Sequence, residues 1–280
     1  VDVGGTNFGP TCSGCITATY GGSAGTDYGS VTCDVTSANT AMVCNTVGGV
    51  GADHGWVVTV ESQASAKSTA TISYTAPAIT SVVKTGGAGT LATAGTDTVD
   101  IGGTNFGPLC TGCATVTYGG NAGGTNYPTS GTITCNVVTA DTALLCNTVE
   151  GVGASHGWVM TIGSQTSGAK SSAVTSYARP AITNLAGSLS NTAGGTEITL
   201  TGTSFGPASH SEASATYGPS SSPNLYSVTS CTVDSDTQMR CDTVAGKGVD
   251  LQWTVTVGGQ TPSSAYTAKK TSYLPPTITS

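Results

Sequence analysis

The chain repeats itself three times, and this internal repetition constrains its fold more than any other feature. A ten-residue segment that begins at Val1 recurs with one substitution at Val99, and a weaker version begins at Ile198. The copies lie about 100 residues apart, which is the size of a small β-sandwich rather than of a solenoid repeat. Each copy then places a tyrosine before a glycine, a tryptophan in a Val/Thr-rich run and a tyrosine shortly before a proline. These anchors are Tyr20, Trp56 and Tyr74; Tyr118, Trp158 and Tyr177; and Tyr217, Trp253 and Tyr273.

Short segments of alternating apolar and polar residues run through each copy. Ala114–Tyr118 and Trp158–Ile162 are examples, and clusters of Gly, Asn, Asp and Ser separate such segments. Alternation puts one set of side chains on a core face and the other set in solvent, which is typical of β-strands. No segment shows a helical period with caps. The sequence therefore predicts an all-β fold of tandem sandwiches.

The start of each copy resembles the opening strands of IPT/TIG domains. The pattern is Pro-x-Ile-Thr, followed by Gly-Thr, then three or four further residues, and then Ile/Leu-x-Gly-Thr-x-Phe-Gly-Pro. It reads Pro77–Thr80 and Gly95–Pro108 in the second copy, and Pro180–Thr183 and Gly195–Pro207 in the third. This resemblance implies immunoglobulin-like β-sandwiches of the kind found in plexin-type receptors, some transcription factors and many surface proteins. It implies little about function, because one fold hosts many functions.

The repeat predicts four segments. Residues 1–76 form an incomplete first copy, residues 77–179 a second, residues 180–274 a third, and residues 275–280 a C-terminal extension. Val1 aligns with Val99, so the first copy is expected to lack its N-terminal strand. We use these bounds for the first, second and third copy throughout.

The C-terminal extension matches the strand that the first copy is expected to lack. Pro276–Ser280 (Pro276, Thr277, Ile278, Thr279 and Ser280) aligns with Pro77–Ser81, and Ile278 matches the inward-facing Ile79. An uncovered strand edge is a template for another chain. We therefore predict that Pro276–Ser280 is a donor strand, with Val1 and Val3 on the acceptor edge of a second subunit. Such a contact is head-to-tail and propagates into a filament. The alternative is that residue 280 continues into a further repeat of one longer chain.

The cysteines follow the repeat and are even in number. Two Cys-x-x-Cys pairs (Cys12/Cys15 and Cys110/Cys113) are absent together from the third copy, where Ser209 and Glu212 stand in their place. Three wider pairs lie opposite each other across predicted hairpins: Cys33/Cys44, Cys135/Cys146 and Cys231/Cys241. Because both cysteines of the Cys-x-x-Cys pair are missing from the third copy while the wider pair remains, we predict that each cysteine bonds to its partner in the same pair. This gives five disulfides. A four-thiolate zinc site and a redox Cys-x-x-Cys remain alternatives, although the redox motif requires a helix. Disulfides indicate an oxidising, extracytoplasmic location.

Composition excludes several functional classes. The chain has 8 Lys and Arg against 15 Asp and Glu, a net charge of -7, so it lacks the basic stripe that nucleic-acid binding requires. No apolar run is long enough to span a membrane. No nucleophile elbow, carboxylate pair, phosphate loop or metal motif appears, so we predict no enzyme, with no catalytic, cofactor-binding or metal-binding residue and no cofactor. His54 and His156 are interpreted as loop or packing residues.

These features together predict a structural protein outside the cell, secreted or at the cell surface. The predicted partner is the chain itself, in a head-to-tail homopolymer, and Ser/Thr runs such as Ser167–Ser176 and Ser220–Ser222 are candidates for O-linked glycans. The alternative is a protein- or glycan-binding segment of a large cell-surface receptor or adhesin. A non-catalytic region of a carbohydrate-active enzyme ranks third.

Overall fold

The computed structural model of the protein describes residues 1–22, 27–120, 125–208, 210–228 and 231–278. These residues form strands joined by turns, with no helix among them. The chain is all-β, as the alternating pattern predicts, and immunoglobulin-like, as the IPT/TIG resemblance implies. Its buried side chains fall into three hydrophobic clusters, one centred on each copy.

The described residues of the first copy contain seven strands. They are β1 (Asp2–Gly4), β2 (Cys12–Gly21), β3 (Asp27–Ser37), β4 (Ala41–Cys44), β5 (His54–Val60), β6 (Gln63–Ala64) and β7 (Thr71–Ile72). Their order is β1-β4-β3-β2-β5-β6, with β7 also on β5. The long strand β3 pairs with β2 and with β4, so it lies between them in one continuous sheet.

The second copy repeats this order and adds a strand at its start. Its strands are β8 (Ala78–Lys84), β9 (Thr98–Thr104), β10 (Cys110–Gly120), β11 (Asn126–Tyr127), β12 (Ile133–Thr139), β13 (Ala143–Asn147), β14 (His156–Ile162), β15 (Gln165–Thr166) and β16 (Val174–Thr175). The order is β15-β14-β10-β12-β13-β9-β8, with β11 on β10 and β16 on β14. The added strand β8 covers the outer edge of β9.

The third copy forms two separate sheets. Its strands are β17 (Ala181–Ala186), β18 (Leu189–Ser190), β19 (Glu197–Thr203), β20 (Ala213–Gly218), β21 (Tyr226–Val228), β22 (Thr232–Ser235), β23 (Gln238–Asp242), β24 (Leu251–Val257) and β25 (Tyr266–Tyr273). One sheet has the order β17-β19-β23-β22 and the other β18-β25-β24-β20-β21. Strand β17 covers β19 as β8 covers β9.

The aromatic anchors that recur in the three copies lie in the core of each one. Tyr118 lies opposite Trp158 in the β10–β14 ladder, and their rings stack with centroids 4.1 Å apart. Trp158 is fully buried, and its indole N–H donates to Thr175 Oγ1 at 3.1 Å. Tyr217 and Trp253 repeat this stack at 4.3 Å in the third copy. The tryptophans therefore serve core packing, as expected of large aromatic side chains on alternating strands.

Candidate functional site

The outer edge of β1 is where the first copy differs from the other two. Strand β1 pairs with β4, with Val3 opposite Met42, and no described strand pairs with its other edge. In the second and third copies the equivalent strands β9 and β19 are covered on that edge by β8 and β17. An uncovered edge leaves backbone donors and acceptors available to another strand.

The covering strand also closes the core. Val82 of β8 and Leu185 of β17 are 8% and 4% exposed, and Ile79 and Ile182 pack against the same clusters. In the first copy, the predicted acceptor residue Val1 is 42% exposed, whereas its counterpart Val99 is fully buried. Val3 is half-buried against its cluster. The uncovered edge of β1 is therefore also the place where the first core is open.

Glycine lets the covering strand approach closely. A Cβ atom at Gly103 or Gly202 would lie against the carbonyl oxygen of Ala78 or Ala181, closer than real Cβ atoms approach. Gly5, the residue directly after β1, occupies the equivalent position in the first copy. The first copy thus retains the residue that a covering strand requires.

The C-terminal segment after β25 is exposed. Ile278 is 98% exposed, and Pro276 and Thr277 are exposed as well. The equivalent Pro77 and Pro180 are buried, and Ile79 is half-buried. Thr279 and Ser280, the last two residues of the predicted donor strand, lie outside the described residues.

A tyrosine pair at the end of each copy holds the loop that contacts the next copy. The hydroxyls of Tyr118 and Tyr177 are 2.6 Å apart, and Tyr177 donates to the Val149 carbonyl at 2.6 Å. Burial raises the pKa of both hydroxyls. A further tyrosine fixes the loop itself, because Tyr127 Oη accepts from Val152 N at 3.0 Å and donates to its carbonyl at 3.1 Å. Tyr28 holds Val50 in the same way.

The held valine inserts into the following copy. Val50 of the first copy packs against the hydrophobic cluster of the second, and Val152 of the second belongs to the cluster of the third. Val50 lies over Gly107 and Gly163, where added Cβ atoms would collide with it. Val152 lies over Gly206 and Gly258 in the same arrangement. The two internal junctions therefore use one common contact.

A glutamine completes each junction. Gln165 Nε2 donates to the Tyr74 carbonyl at 2.9 Å, and its Oε1 accepts from Gly51 N at 3.1 Å. Gln260 Nε2 donates to the Tyr177 carbonyl at 3.3 Å. The second junction adds a bond from Thr93 Oγ1 to Asp236 at 2.5 Å. These residues escape sequence reasoning because each one acts across copies. A signal is present nonetheless: Gly49-Val50-Gly51 and Gly151-Val152-Gly153 repeat with a valine between turn glycines.

The ten cysteines form five disulfides, with the pairing that the two kinds of spacing predict. Cys33–Cys44 and Cys135–Cys146 each join two neighbouring strands, and Cys231–Cys241 joins the residue before β22 to β23. Cys12–Cys15 and Cys110–Cys113 close short loops. Each short loop is held by a partner strand: Gly112 N donates to Asn136 Oδ1 at 2.8 Å. Because the thiols are used in disulfides, they are not ligands of the zinc alternative. No helix in the described part of the chain is long and apolar enough to cross a membrane.

His156 is a buried packing residue beside the second tyrosine pair. It is 3% exposed, its Nε2 lies 3.1 Å from the Val152 carbonyl, and its ring meets Tyr127 and Tyr177 edge-on. Burial lowers the pKa of its imidazole below the ordinary value, an effect opposed by its backbone hydrogen bonds. The third copy places Leu251 at the same position.

We expect the second copy to lose stability as pH falls. The unfolded chain takes up a proton on His156 near its ordinary pKa of about 6.5, whereas the folded chain does so only at lower pH. The stabilising difference is thus present above about pH 6.5 and is lost as pH falls toward the folded pKa. Thermal unfolding at about pH 7.5 and about pH 5 measures the decline. A His156→Leu variant should show a smaller decline, and an equal decline in the variant contradicts this assignment.

Comparison with known proteins identifies the third copy. A family model described as "IPT/TIG domain" matches residues 180–270, about a third of the chain. The third copy is therefore similar to IPT/TIG domains. This match confirms the resemblance seen in its opening strands. No curated protein sequence matches the chain.

Several solved structures resemble the chain at low identity. The plexin A4 full extracellular region is 14% identical, with a TM-score of 0.30, over 98% of this chain and 32% of that chain. SGBP-B from Bacteroides uniformis is 18% identical (TM-score 0.28) over 70% of this chain and 50% of that one. The Escherichia coli adhesin FdeC is 14% identical (TM-score 0.29) over 98% of this chain and 88% of that chain. This chain thus spans about a third of the plexin A4 chain and half of the SGBP-B chain. None of these likenesses transfers a function to it.

Proposed function

We propose that the protein is a structural subunit of an extracellular filament. In this filament, Pro276–Ser280 of one subunit covers the open edge of β1 in the next subunit. The supporting observation is a pair of complementary features. The β1 edge is uncovered in the described chain, and an exposed segment repeats the motif that covers this edge in the second and third copies. The tandem division at 1–76, 77–179 and 180–274 is part of the proposal.

The register of the proposed contact follows from β8 and β9. Ala78 pairs with Thr104, Ile79 with Gly103 and Ser81 with Gly102. By equivalence, Thr277 lies opposite Thr6 and Ile278 opposite Gly5 in the neighbouring subunit. Ile278 then enters the open core beside Val3, and alternation leaves Thr277 on the solvent side. Main-chain bonds supply affinity and the isoleucine supplies specificity, as in other cases of strand addition.

The first copy also has the residues that, in the second and third copies, contact the loop of the copy before them. Gln63 aligns with Gln165 and Gln260, and Gly9 aligns with Gly107 and Gly206. Gln63 is exposed in this chain. If the third copy of a neighbouring subunit docks there, its Tyr273 carbonyl accepts a hydrogen bond from Gln63. The carbonyls of Tyr74 and Tyr177 accept the equivalent bonds at the internal junctions. The subunit contact is therefore a strand exchange supported by a junction of the internal type.

The proposed location is outside the cell, because five disulfides persist only in an oxidising compartment. O-linked glycans belong to the proposal at Ser220, Ser221 and Ser222, which are exposed. Ser171 and Thr175 are poorer acceptors, since both are 8% exposed and bond to Trp158. Intact mass that equals the bare polypeptide contradicts the glycan part.

Assembly of the purified 280-residue chain tests the proposal. We expect sedimentation above a critical concentration and unbranched filaments one subunit wide in electron micrographs, with an axial repeat that reports one subunit. Chains that stay monomeric and folded at all concentrations contradict the proposal. If such monomers bind a protein or a glycan, the receptor or adhesin alternative replaces it.

A further inference from the structure

Both internal junctions place a small apolar residue against two glycines. Val50 contacts Gly107 and Gly163, and an added Cβ at Gly163 would lie 2.7 Å from Gly51 N and 2.9 Å from Val50 Cγ2. At the second junction an added Cβ on Gly258 would lie 2.6 Å from Gly153 N. These junctions therefore exclude a side chain at the turn glycine.

The third copy presents the same loop with a different side chain. Tyr226 Oη accepts from Lys247 N at 2.9 Å and donates to the Lys247 carbonyl at 2.7 Å, as Tyr28 and Tyr127 do for the junction valines. Tyr273 N donates to the Gly248 carbonyl at 2.9 Å, which matches Tyr177 and Gly153. Lys247 thus stands where Val50 and Val152 stand, and it is exposed.

The first copy has the complementary change at its receiving turn. Glu61 occupies the position of Gly163 and Gly258, between β5 and β6. Its φ of 45° is in the left-handed region that favours glycine, so a glutamate there costs free energy relative to the glycine found at the other turns. Gly9 and Gln63 keep the identities of their counterparts. The turn has thus exchanged glycine for an exposed carboxylate at one position only.

We infer that Lys247 of one subunit forms an ion pair with Glu61 of a second copy of this chain, and that this pair directs the third copy to the first; the inference rests on the proposed function. The two junction positions that depart from the valine–glycine pattern are the two that meet at a subunit contact, and their charges are opposite. A Cβ on Glu61 holds the incoming loop farther away than at the internal junctions. The long side chains of Lys247 and Glu61 span that wider gap.

The ion pair also disfavours incorrect contacts, in which the loop of one subunit docks on a turn of a copy other than the first. Lys247 docked on a turn such as Gly163 would bury its stem without a carboxylate partner, and a valine docked on Glu61 would leave the carboxylate unpaired. Burying an unpaired charge is costly. Lys247 is able to place its methylene stem over Gly9 while its ammonium reaches the rim.

Charge reversal tests the ion pair in the assembling protein. We expect Lys247→Glu and Glu61→Lys each to raise the critical concentration about five- to tenfold, because attraction becomes repulsion at every subunit contact. An equimolar mixture of the two variants should assemble near the unaltered critical concentration, because every contact in an alternating polymer then joins opposite charges. Lys269→Glu, an exposed position on β25, is the matched control and should leave the critical concentration unchanged.

The outcomes separate this inference from the proposed function. Assembly of both single variants at the unaltered critical concentration overturns the ion pair and leaves the filament proposal intact. Failure of the mixture to recover also overturns the pair when both variants keep the unaltered melting temperature. Absence of assembly by the unaltered protein contradicts both proposals.

Discussion

Removal of Pro276–Ser280 is expected to abolish filaments while leaving a folded monomer. The segment contributes one buried isoleucine, about 1.5–3 kcal/mol, and about three backbone hydrogen bonds of roughly 0.5–1.5 kcal/mol each to every contact. Their loss raises the critical concentration by more than about a hundredfold. Sedimentation and electron microscopy measure the loss. Ile278→Asp should act likewise, because it drives a carboxylate into an apolar site.

Thr277→Asp is the matched control for Ile278→Asp. It places the same charge one residue earlier, on the solvent side of the proposed strand, where the equivalent Ala78 is exposed. Filaments should persist in this variant. Filaments that survive removal of Pro276–Ser280, or that respond equally to the two aspartates, show that the segment is not a donor strand.

Gly5→Ala is expected to block the acceptor edge. The equivalent Gly103 and Gly202 lie under the carbonyl oxygens of Ala78 and Ala181, so a methyl group at Gly5 meets the carbonyl of the incoming Thr277. Strand addition fails when the two backbones cannot reach hydrogen-bonding distance. We expect the critical concentration to rise at least about tenfold, with the protein still monomeric and folded by thermal unfolding.

Two controls separate blockage from local damage. At the equivalent Gly102 an added Cβ meets only the hydroxyl of Ser81, which rotation of that side chain relieves, and the third copy carries Thr201 at this position under its covering strand. Gly4→Ala should therefore assemble normally. A Cβ at Gly5 also meets the ring of Phe8, and Phe8→Leu perturbs that ring without obstructing the edge. Phe8→Leu should therefore lower the melting temperature and preserve assembly. Equal loss of assembly in Phe8→Leu and Gly5→Ala contradicts a specific block.

Sequence reasoning recovers the features that depend on local pattern. Alternation and repetition predict the strands, and the spacing of Cys135 and Cys146 predicts the hairpin in which the structure places them opposite each other. The IPT/TIG resemblance of the third copy follows from its opening motif. These predictions succeed because the side-chain period and the turn residues are encoded within a few positions of each other.

The junctions could not be predicted, because their contacts join residues far apart in the chain. Gln165 looks like an ordinary turn residue until the structure shows its amide on the Tyr74 carbonyl, 91 positions away. Gly163 and Glu61 occupy the same turn position, and the sequence gives no reason for the difference. The structure shows that Val50 lies against Gly163, where a side chain would collide with it. The buried role of Ser171, which accepts from Trp158 N, is likewise hidden within a run that sequence alone presents as an exposed hydroxyl-rich segment.

Site-specific photo-crosslinking from position 278 in assembled material tests the central claim most directly. A photoreactive residue replaces Ile278, and mass spectrometry locates the attachment after irradiation. The account predicts attachment between chains, to residues 3–8 of a second copy, with none when the sample is kept below the critical concentration. Attachment within one chain, or to any other surface of a second copy, contradicts the exchange of a C-terminal strand.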